Sequence, residues 1–113
     1  MITVEVTRND KRNIVSFTMS GHADFGPHGQ DLVCAGASAV SFGAVNAIAA
    51  VCGVELDIEM EDEGGFLRCH VPNGLEKVTF EKVQLLLEGM IVSLQSIAEE
   101  YSDNIQVNET LGR

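Results

Sequence analysis

The sequence is poor in basic residues: 7 Lys and Arg stand against 17 Asp and Glu, for a formal net charge of −10. The few cations are not clustered along the chain, so a phosphate backbone would be repelled and we expect no direct binding to nucleic acid. The same negative field would attract a basic peptide or protein, although acidity also serves solubility alone. The charge therefore limits the choice of partner without naming one.

Long apolar runs are also missing, and we expect no secretory leader. No uninterrupted apolar run reaches the roughly 18 to 20 residues that span a bilayer, and Met1 leads directly into an alternating pattern. Cysteine is scarce, and the three present, Cys34, Cys52 and Cys69, cannot all pair within one chain. We therefore expect a cytoplasmic protein with free thiols and no membrane partner.

What is present suffices for one domain, which we expect to span residues 1–113, since 45% of the 113 residues are hydrophobic. Alternating apolar and polar residues predict a β-hairpin from strands at Ile2–Arg8 and residues 14–19. The same alternation predicts a second hairpin from residues 54–60 and 66–71. A short last strand through residues 104–108 is predicted, followed by a frayed tail.

Two helices are expected between and after these hairpins. The segment from Cys34 to Cys52 is apolar and rich in small residues, and it ends at Gly53, a residue that commonly terminates helices. From about residue 75 to residue 101, apolar side chains recur at three- and four-residue spacing, which predicts a long amphipathic helix. The order ββαββα(β) predicts an α+β fold of two layers, with helices packed on a largely antiparallel sheet.

The segment from Gly21 to Ser38, GHADFGPHGQDLVCAGAS, concentrates reactive side chains between two regular elements. His22 follows a strand end and Cys34 lies near a helix start. A helix N-terminus and a neighbouring imidazolium both favour the thiolate form of a cysteine. Cys34 is therefore a candidate nucleophile and His22 a candidate general acid and base, with N–H groups of the first helical turn or the glycine loop as oxyanion donors.

Each of these residues also has a structural interpretation. Cys34 could be a small buried side chain, and His22 could tie the loop through a hydrogen bond. Asp31 could cap the helix by accepting from the amides of Val33 or Cys34, or it could orient the imidazole. Ser38, one helical turn after Cys34, could support the site or only pack.

The loop itself leaves two further questions open. Gly26 and Gly29 are typical of either a mobile loop over a substrate or a plain surface turn. His22, His28 and Cys34 are, together with the loop aspartates, ligand types for zinc, but their spacing matches no known zinc motif, and we expect neither metal nor cofactor. A non-catalytic binding protein with a structural or redox-sensing thiol remains an alternative.

The loop residues also carry a resemblance. Gly21-His22-Ala23, Gly26, Gly29 and the run DLVCAGAS from Asp31 to Ser38 resemble the signature of the ribosomal-processing cysteine protease family, Prp. The likeness extends over nearly the whole chain, including the turn at residues 62–65 and the late Leu-rich helix. The resemblance implies a homodimeric cysteine endopeptidase of ribosome assembly, which removes the N-terminal extension from the precursor of ribosomal large-subunit protein twenty-seven.

The resemblance also assigns roles within the loop. It makes Cys34 the nucleophile and His22 the general base of a thioester mechanism. It gives Asp31 and Ser38 supporting positions, and it makes the segment that contains Gly21, Gly26 and Gly29 a mobile loop.

Overall fold

The computed structural model describes residues 1–112 of the chain. Five strands and two helices follow one another in the order ββαββαβ: β1 Ile2–Arg8, β2 Ile14–Ser20, α1 Leu32–Cys52, β3 Asp57–Met60, β4 Phe66–His70, α2 Lys77–Glu100 and β5 Ile105–Leu111. This order and the packing of both helices on the sheet confirm the α+β prediction. Both predicted hairpins are formed by antiparallel strand pairs.

The sheet has the strand order β3-β4-β2-β1-β5, so the two hairpins lie side by side and β5 closes one edge. β1 pairs with β5 in parallel, while the other three pairs are antiparallel. The prediction of a frayed tail after residue 108 was wrong, because β5 continues to Leu111 along the whole length of β1. The polar, exposed residues of this edge strand gave no apolar signal for its last part.

Apolar side chains from the sheet and from both helices form the core. β1 contributes alternate residues, and α2 contributes the stripe that its three- and four-residue spacing predicted: Val83, Leu87, Met90, Ile91 and Leu94 are all buried. Burying one such aliphatic side chain stabilises a fold by roughly 1.5–3 kcal/mol. The core therefore fixes the strands and helices whose ends bound the site described below.

Helix α1 has a defined residue at each end. The side chain of Asp31 accepts hydrogen bonds from the backbone amides of Val33 and Cys34, and the helix starts at Leu32. At the other end Gly53 adopts the left-handed conformation, with φ of 67°, and its N–H bonds back to Ala49, as predicted from the glycine. The N-terminal cap places Cys34 in the first turn of the helix.

Within residues 1–112, α1 is the one helix long and apolar enough to cross a membrane by length and composition, with a hydropathy of 1.7. No uninterrupted apolar run spans this helix, because Ser38, Ser41 and Asn46 break it. In the fold, Val33, Ala37, Ser41, Val45 and Ile48 form the buried face of α1. Helices that pack in the core of a globular protein can have the same length and apolar composition as a membrane-spanning helix.

Candidate active site

A groove of about 620 Å³ lies where the β2–α1 loop, the first turns of α1 and the β3–β4 turn meet. The seven residues that the sequence singled out all line it: Gly21, His22, Gly26, Gly29, Asp31, Cys34 and Ser38. The fold thus brings the candidate nucleophile, the candidate base and the proposed mobile loop to one concave surface. Such a surface is where ligands commonly bind.

Cys34 is the third residue of α1, and its half-buried side chain lines the groove. Its Sγ accepts a hydrogen bond from the backbone N–H of Ala23 at 3.3 Å. The N–H of Ala23 and the N-terminus of α1 both direct positive partial charge toward this sulfur. Ala23 directly follows His22, so this hydrogen bond joins the chain at the candidate base to the candidate nucleophile.

Asp31 organises the loop through four backbone amides. One carboxylate oxygen accepts from Val33 and Cys34 at 2.9 and 3.0 Å, and the other accepts from Phe25 and Gly26 at 2.8 and 3.2 Å. Burial opposes the charged form, but these four amides outweigh it and hold the pKa of Asp31 below its ordinary value. Asp31 therefore has the hydrogen bonds of an N-terminal cap of α1.

The same contacts change one expectation. The amides of Val33 and Cys34 belong to the first helical turn, which the sequence analysis offered as a source of oxyanion donors. Both already donate to Asp31.

His22 is exposed, and its imidazole lies against the β3–β4 turn. A Cβ atom on Gly65 would come within 2.9 Å of Nε2 of His22, and Gly65 has a φ of 81°, so both space and backbone conformation require glycine there. The ring of His28 stands edge-on to that of His22, with 5.9 Å between ring centroids. The imidazole of His22 is therefore confined between a turn and a second histidine.

The loop glycines differ in what they provide. Gly21 and Gly29 have φ values of 89° and 85°, in the left-handed region that favours glycine, whereas Gly26 does not. A Cβ on Gly21 would also meet the carbonyl oxygen of Met1, while a Cβ on Gly29 would meet nothing within 4 Å. Gly21 is thus needed for close packing at the end of β2, and Gly29 for its backbone conformation alone.

The walls of the groove combine apolar and acidic side chains. Ser38 is exposed along α1 beyond Cys34, and Phe42 of α1 and Met60 of β3 add apolar surface. Five acidic residues line the groove: Asp24, Asp31, Glu61, Asp62 and Glu63. Among residues 1–112, no three His, Cys, Asp or Glu side chains are grouped so that they could hold a metal ion.

Sequence reasoning missed two parts of this site. The β3–β4 turn supplies Glu61 to Phe66 to the groove, and its paired glycines were the signal that another group packs closely against it. Asn104, which donates from its Nδ2 atom to the carbonyl of Ala23 at 2.9 Å, gave no signal because it lies 81 positions away.

Comparison with known proteins gives a consistent result. A protein-family model described as cysteine protease Prp matches residues 1–106. The chain is similar to the ribosomal processing cysteine protease Prp of Bacillus subtilis (strain 168), with 45% identity over 111 residues that cover 98% of this chain and 99% of the relative. It is also similar to the protein of the same name from Staphylococcus aureus (strain Mu50), with 45% identity over 96% of this chain and 98% of the relative.

Solved structures agree with this. The crystal structure of an essential ribosomal processing protease Prp from S. aureus, in complex with a covalently linked product peptide, superposes with a TM-score of 0.89 at 44% identity. That match covers 97% of this chain and 100% of the other. A second structure of the S. aureus protease, in complex with a substrate peptide, gives a TM-score of 0.83 at 44% identity, with the same coverage of both chains.

Proposed function

The chain belongs to the cysteine protease Prp family, and on that premise we propose that it cleaves a peptide bond through a thioester on Cys34. The Sγ thiolate attacks the scissile carbonyl carbon, and His22 protonates the amine as the C–N bond breaks. His22 then takes a proton from water, which attacks the thioester carbonyl and releases a carboxylate and the thiol. The observation that carries this proposal is the 3.3 Å hydrogen bond from the Ala23 amide to Sγ of Cys34, in the groove that His22 also lines.

The substrate that we propose is the precursor of ribosomal large-subunit protein twenty-seven, from which the enzyme would remove the N-terminal extension during ribosome assembly. Two relatives carry ribosomal processing in their names, and the solved S. aureus protease binds a substrate peptide. The groove supports a basic substrate, because five acidic side chains line it and no Lys or Arg does. A ribosomal protein is a basic partner of this kind.

The first test is mass spectrometry of that precursor, taken from the same organism and incubated with wild-type protein, Cys34→Ala or Cys69→Ala. We expect one N-terminal cut by the wild type and by Cys69→Ala, and none by Cys34→Ala. Cys69 is the matched control, since it is a free cysteine buried in β4 away from the groove. Cleavage by Cys34→Ala would overturn the mechanism, and an uncut precursor with the wild type would overturn the substrate.

Charge provides a separate test of the substrate class. Cleavage of the intact precursor should slow with added salt more than cleavage of a short neutral peptide that contains the same bond, because screening weakens the attraction to the acidic groove. The triple variant Glu61→Gln, Asp62→Asn, Glu63→Gln should lose much of that salt dependence. Equal salt dependence for both substrates would contradict recruitment by charge.

The proposed mobile loop has a narrower test. Gly29 has a φ of 85° and open space around it, so Gly29→Ala disfavours the present backbone conformation without a clash. We expect a lower kcat with a smaller change in melting temperature, because the loop must be able to move over the substrate. Unchanged kinetics would count against a role for loop movement.

We also propose that the protein is a homodimer. Val78, Leu85 and Val92 follow one another at seven-residue spacing along α2, and they are exposed by 55%, 73% and 61%. This spacing puts them on one side of the helix, where a second copy could bury them against the same stripe. Sedimentation should show a dimer for the wild type and a monomer for Leu85→Lys; a monomeric wild type at assay concentration would contradict the proposal.

We place the enzyme in the cytoplasm, where its proposed substrate is made. The three cysteines are free, which is typical of a reducing compartment. Fractionation of cells that produce the protein at its natural level tests this placement.

A further inference from the structure

We propose that Asn104 is a positioning residue for Cys34 and acts through the backbone of Ala23; this inference rests on the proposed function. Nδ2 of Asn104 donates to the carbonyl oxygen of Ala23 at 2.9 Å. The backbone N–H of Ala23 in turn donates to Sγ of Cys34 at 3.3 Å. Ala23 is 1% exposed, so water does not replace a lost partner easily. Asn104 therefore anchors Ala23 on the carbonyl side of its Cα and so limits how far the N–H on the other side can move from sulfur.

Asn104 is itself held by the framework of the fold. Its backbone N–H donates to the carbonyl of Tyr101 at the end of α2, and its own carbonyl accepts from the N–H of Ile2 at the start of β1, both at 2.9 Å. Its φ is not in the left-handed region that favours asparagine, so the residue is not required there for backbone conformation. The side-chain amide is what distinguishes asparagine at this position.

The rest of the loop is fixed from the other side. Asp31 holds the amides of Phe25 and Gly26, and the Phe25 ring packs edge-on against Tyr101 with centroids 5.2 Å apart. Asp24, between Ala23 and Phe25, has a φ of 56°, in the left-handed region that is less favourable for a residue with a side chain than for glycine. The Asn104 and Asp31 contacts hold the chain on both sides of this residue. Loss of the Asn104 contact would free the Ala23–Asp24 peptide, let Ala23 shift, and so move its N–H, which belongs to the preceding peptide, away from sulfur.

The structure offers a matched control at the opposite end of the same hairpin. The side-chain amide of Gln84 donates to the carbonyl of Ile14 and accepts from its N–H, both at 2.7 Å. Gln84 lies in α2 and Asn104 just after α2, and the side-chain amide of each donates to a backbone carbonyl in the N-terminal part of the chain. Unlike the Asn104 contact, the Gln84 contact lies outside the groove. Gln84→Ala thus removes contacts of the same chemical kind without touching the site.

The decisive measurement is the rate at which iodoacetamide alkylates Cys34 as a function of pH, followed at that residue by mass spectrometry, together with kcat and KM for cleavage. For Asn104→Ala we expect the alkylation profile to move to higher pH and kcat to fall by about tenfold at nearly constant KM, because a donor to sulfur is lost. Gln84→Ala should lower the melting temperature and leave the profile and kcat as in the wild type. Asn104→Asp, which places an acceptor against the Ala23 carbonyl, should move the profile at least as far.

An Asn104→Ala profile and kcat equal to those of the wild type would overturn the positioning role, as would the same shift in Gln84→Ala. If Asn104→Ala does not fold, Asn104→Asp takes its place with the same expected shift, and an unshifted profile overturns the inference. The alkylation measurement does not require cleavage, so failure of this inference is distinguishable from failure of the proposed function, which the Cys34→Ala assay tests with Asn104 intact.

Discussion

The two ends of β1 carry polar clusters of opposite design. At the far end, Arg8 donates to both oxygens of Glu88 at 2.7 and 2.8 Å and to Glu109 at 2.9 Å, so a cation is paired with two carboxylates. At the groove end, the Asp31 carboxylate accepts from four backbone amides and is not paired with a cation among residues 1–112. One cluster joins side chains from three elements, and the other holds a loop by its backbone.

We expect the far cluster to serve stability and the Asp31 cluster to serve the proposed activity. In the far cluster the hydrogen bond with Glu88 raises the pKa of Arg8 above its ordinary value. The same hydrogen bond lowers the pKa of Glu88. Charges that neutralise each other stabilise the fold and leave little field for a ligand. Amide dipoles stabilise Asp31 without cancelling its charge, so the groove remains acidic while the amides of the loop stay fixed.

The largest expected effect lies at the groove end. His22→Ala should lower kcat/KM by about a thousandfold or more, as removal of a general acid and base does, with a melting temperature near that of the wild type because the side chain is exposed. His28→Ala is the matched control, since its ring contacts that of His22 in the same loop. An equal loss of kcat/KM in His22→Ala and His28→Ala would contradict a specific role for His22 as general acid and base.

The complementary test is at the far end. Arg8→Ala should lower the free energy of unfolding by about 2 kcal/mol, because charge-assisted hydrogen bonds to two partly exposed carboxylates are lost. Denaturant unfolding measures this loss, with the exposed Lys11→Ala as control. At temperatures where the variant is folded, kcat/KM should equal that of the wild type; a large drop would show that the two ends are coupled.

A smaller effect should come from Asp31→Asn, which touches both properties. One amide oxygen can still accept from Val33 and Cys34, but the amide group that replaces the second oxygen opposes the N–H groups of Phe25 and Gly26, so we expect kcat/KM to fall by about tenfold. Because the pKa of Asp31 is lowered in the folded state, its stabilising contribution is present above the unfolded carboxyl pKa of about 3.9 and is lost as the pH falls through the lower folded value.

Thermal unfolding of wild type and Asp31→Asn from pH 7 down to pH 3 tests this sign, and the difference in melting temperature should shrink on acidification. Glu88→Gln provides the comparison, because its pKa is also lowered but it lies at the far end. It should share the pH dependence of stability and keep wild-type kinetics. A difference that grows toward acid pH for Asp31→Asn would contradict the assigned direction.

Much of the fold could be predicted because the signals are local. Alternation identified the two hairpins, Gly53 identified the end of α1, and the apolar stripe identified α2, each within a short window of sequence. The position of Asp31 three residues before Cys34 likewise indicated a helix cap as one of its two expected roles. The parallel pairing of β5 with β1 could not be predicted in this way, because it joins residues 103 positions apart, such as Ile2 and Ile105.

By itself, the sequence determined the candidate catalytic loop between His22 and Cys34 and the acidic net charge of the chain. Only the tertiary structure decided what surrounds that loop. Gly65 confines the His22 ring, and Asn104 holds the carbonyl of Ala23, the residue whose N–H reaches Cys34, from distances of 43 and 81 positions along the chain respectively. Local pattern encodes backbone conformation and burial, whereas the direction of a hydrogen bond to sulfur depends on contacts that exist only once the sheet and α2 have packed.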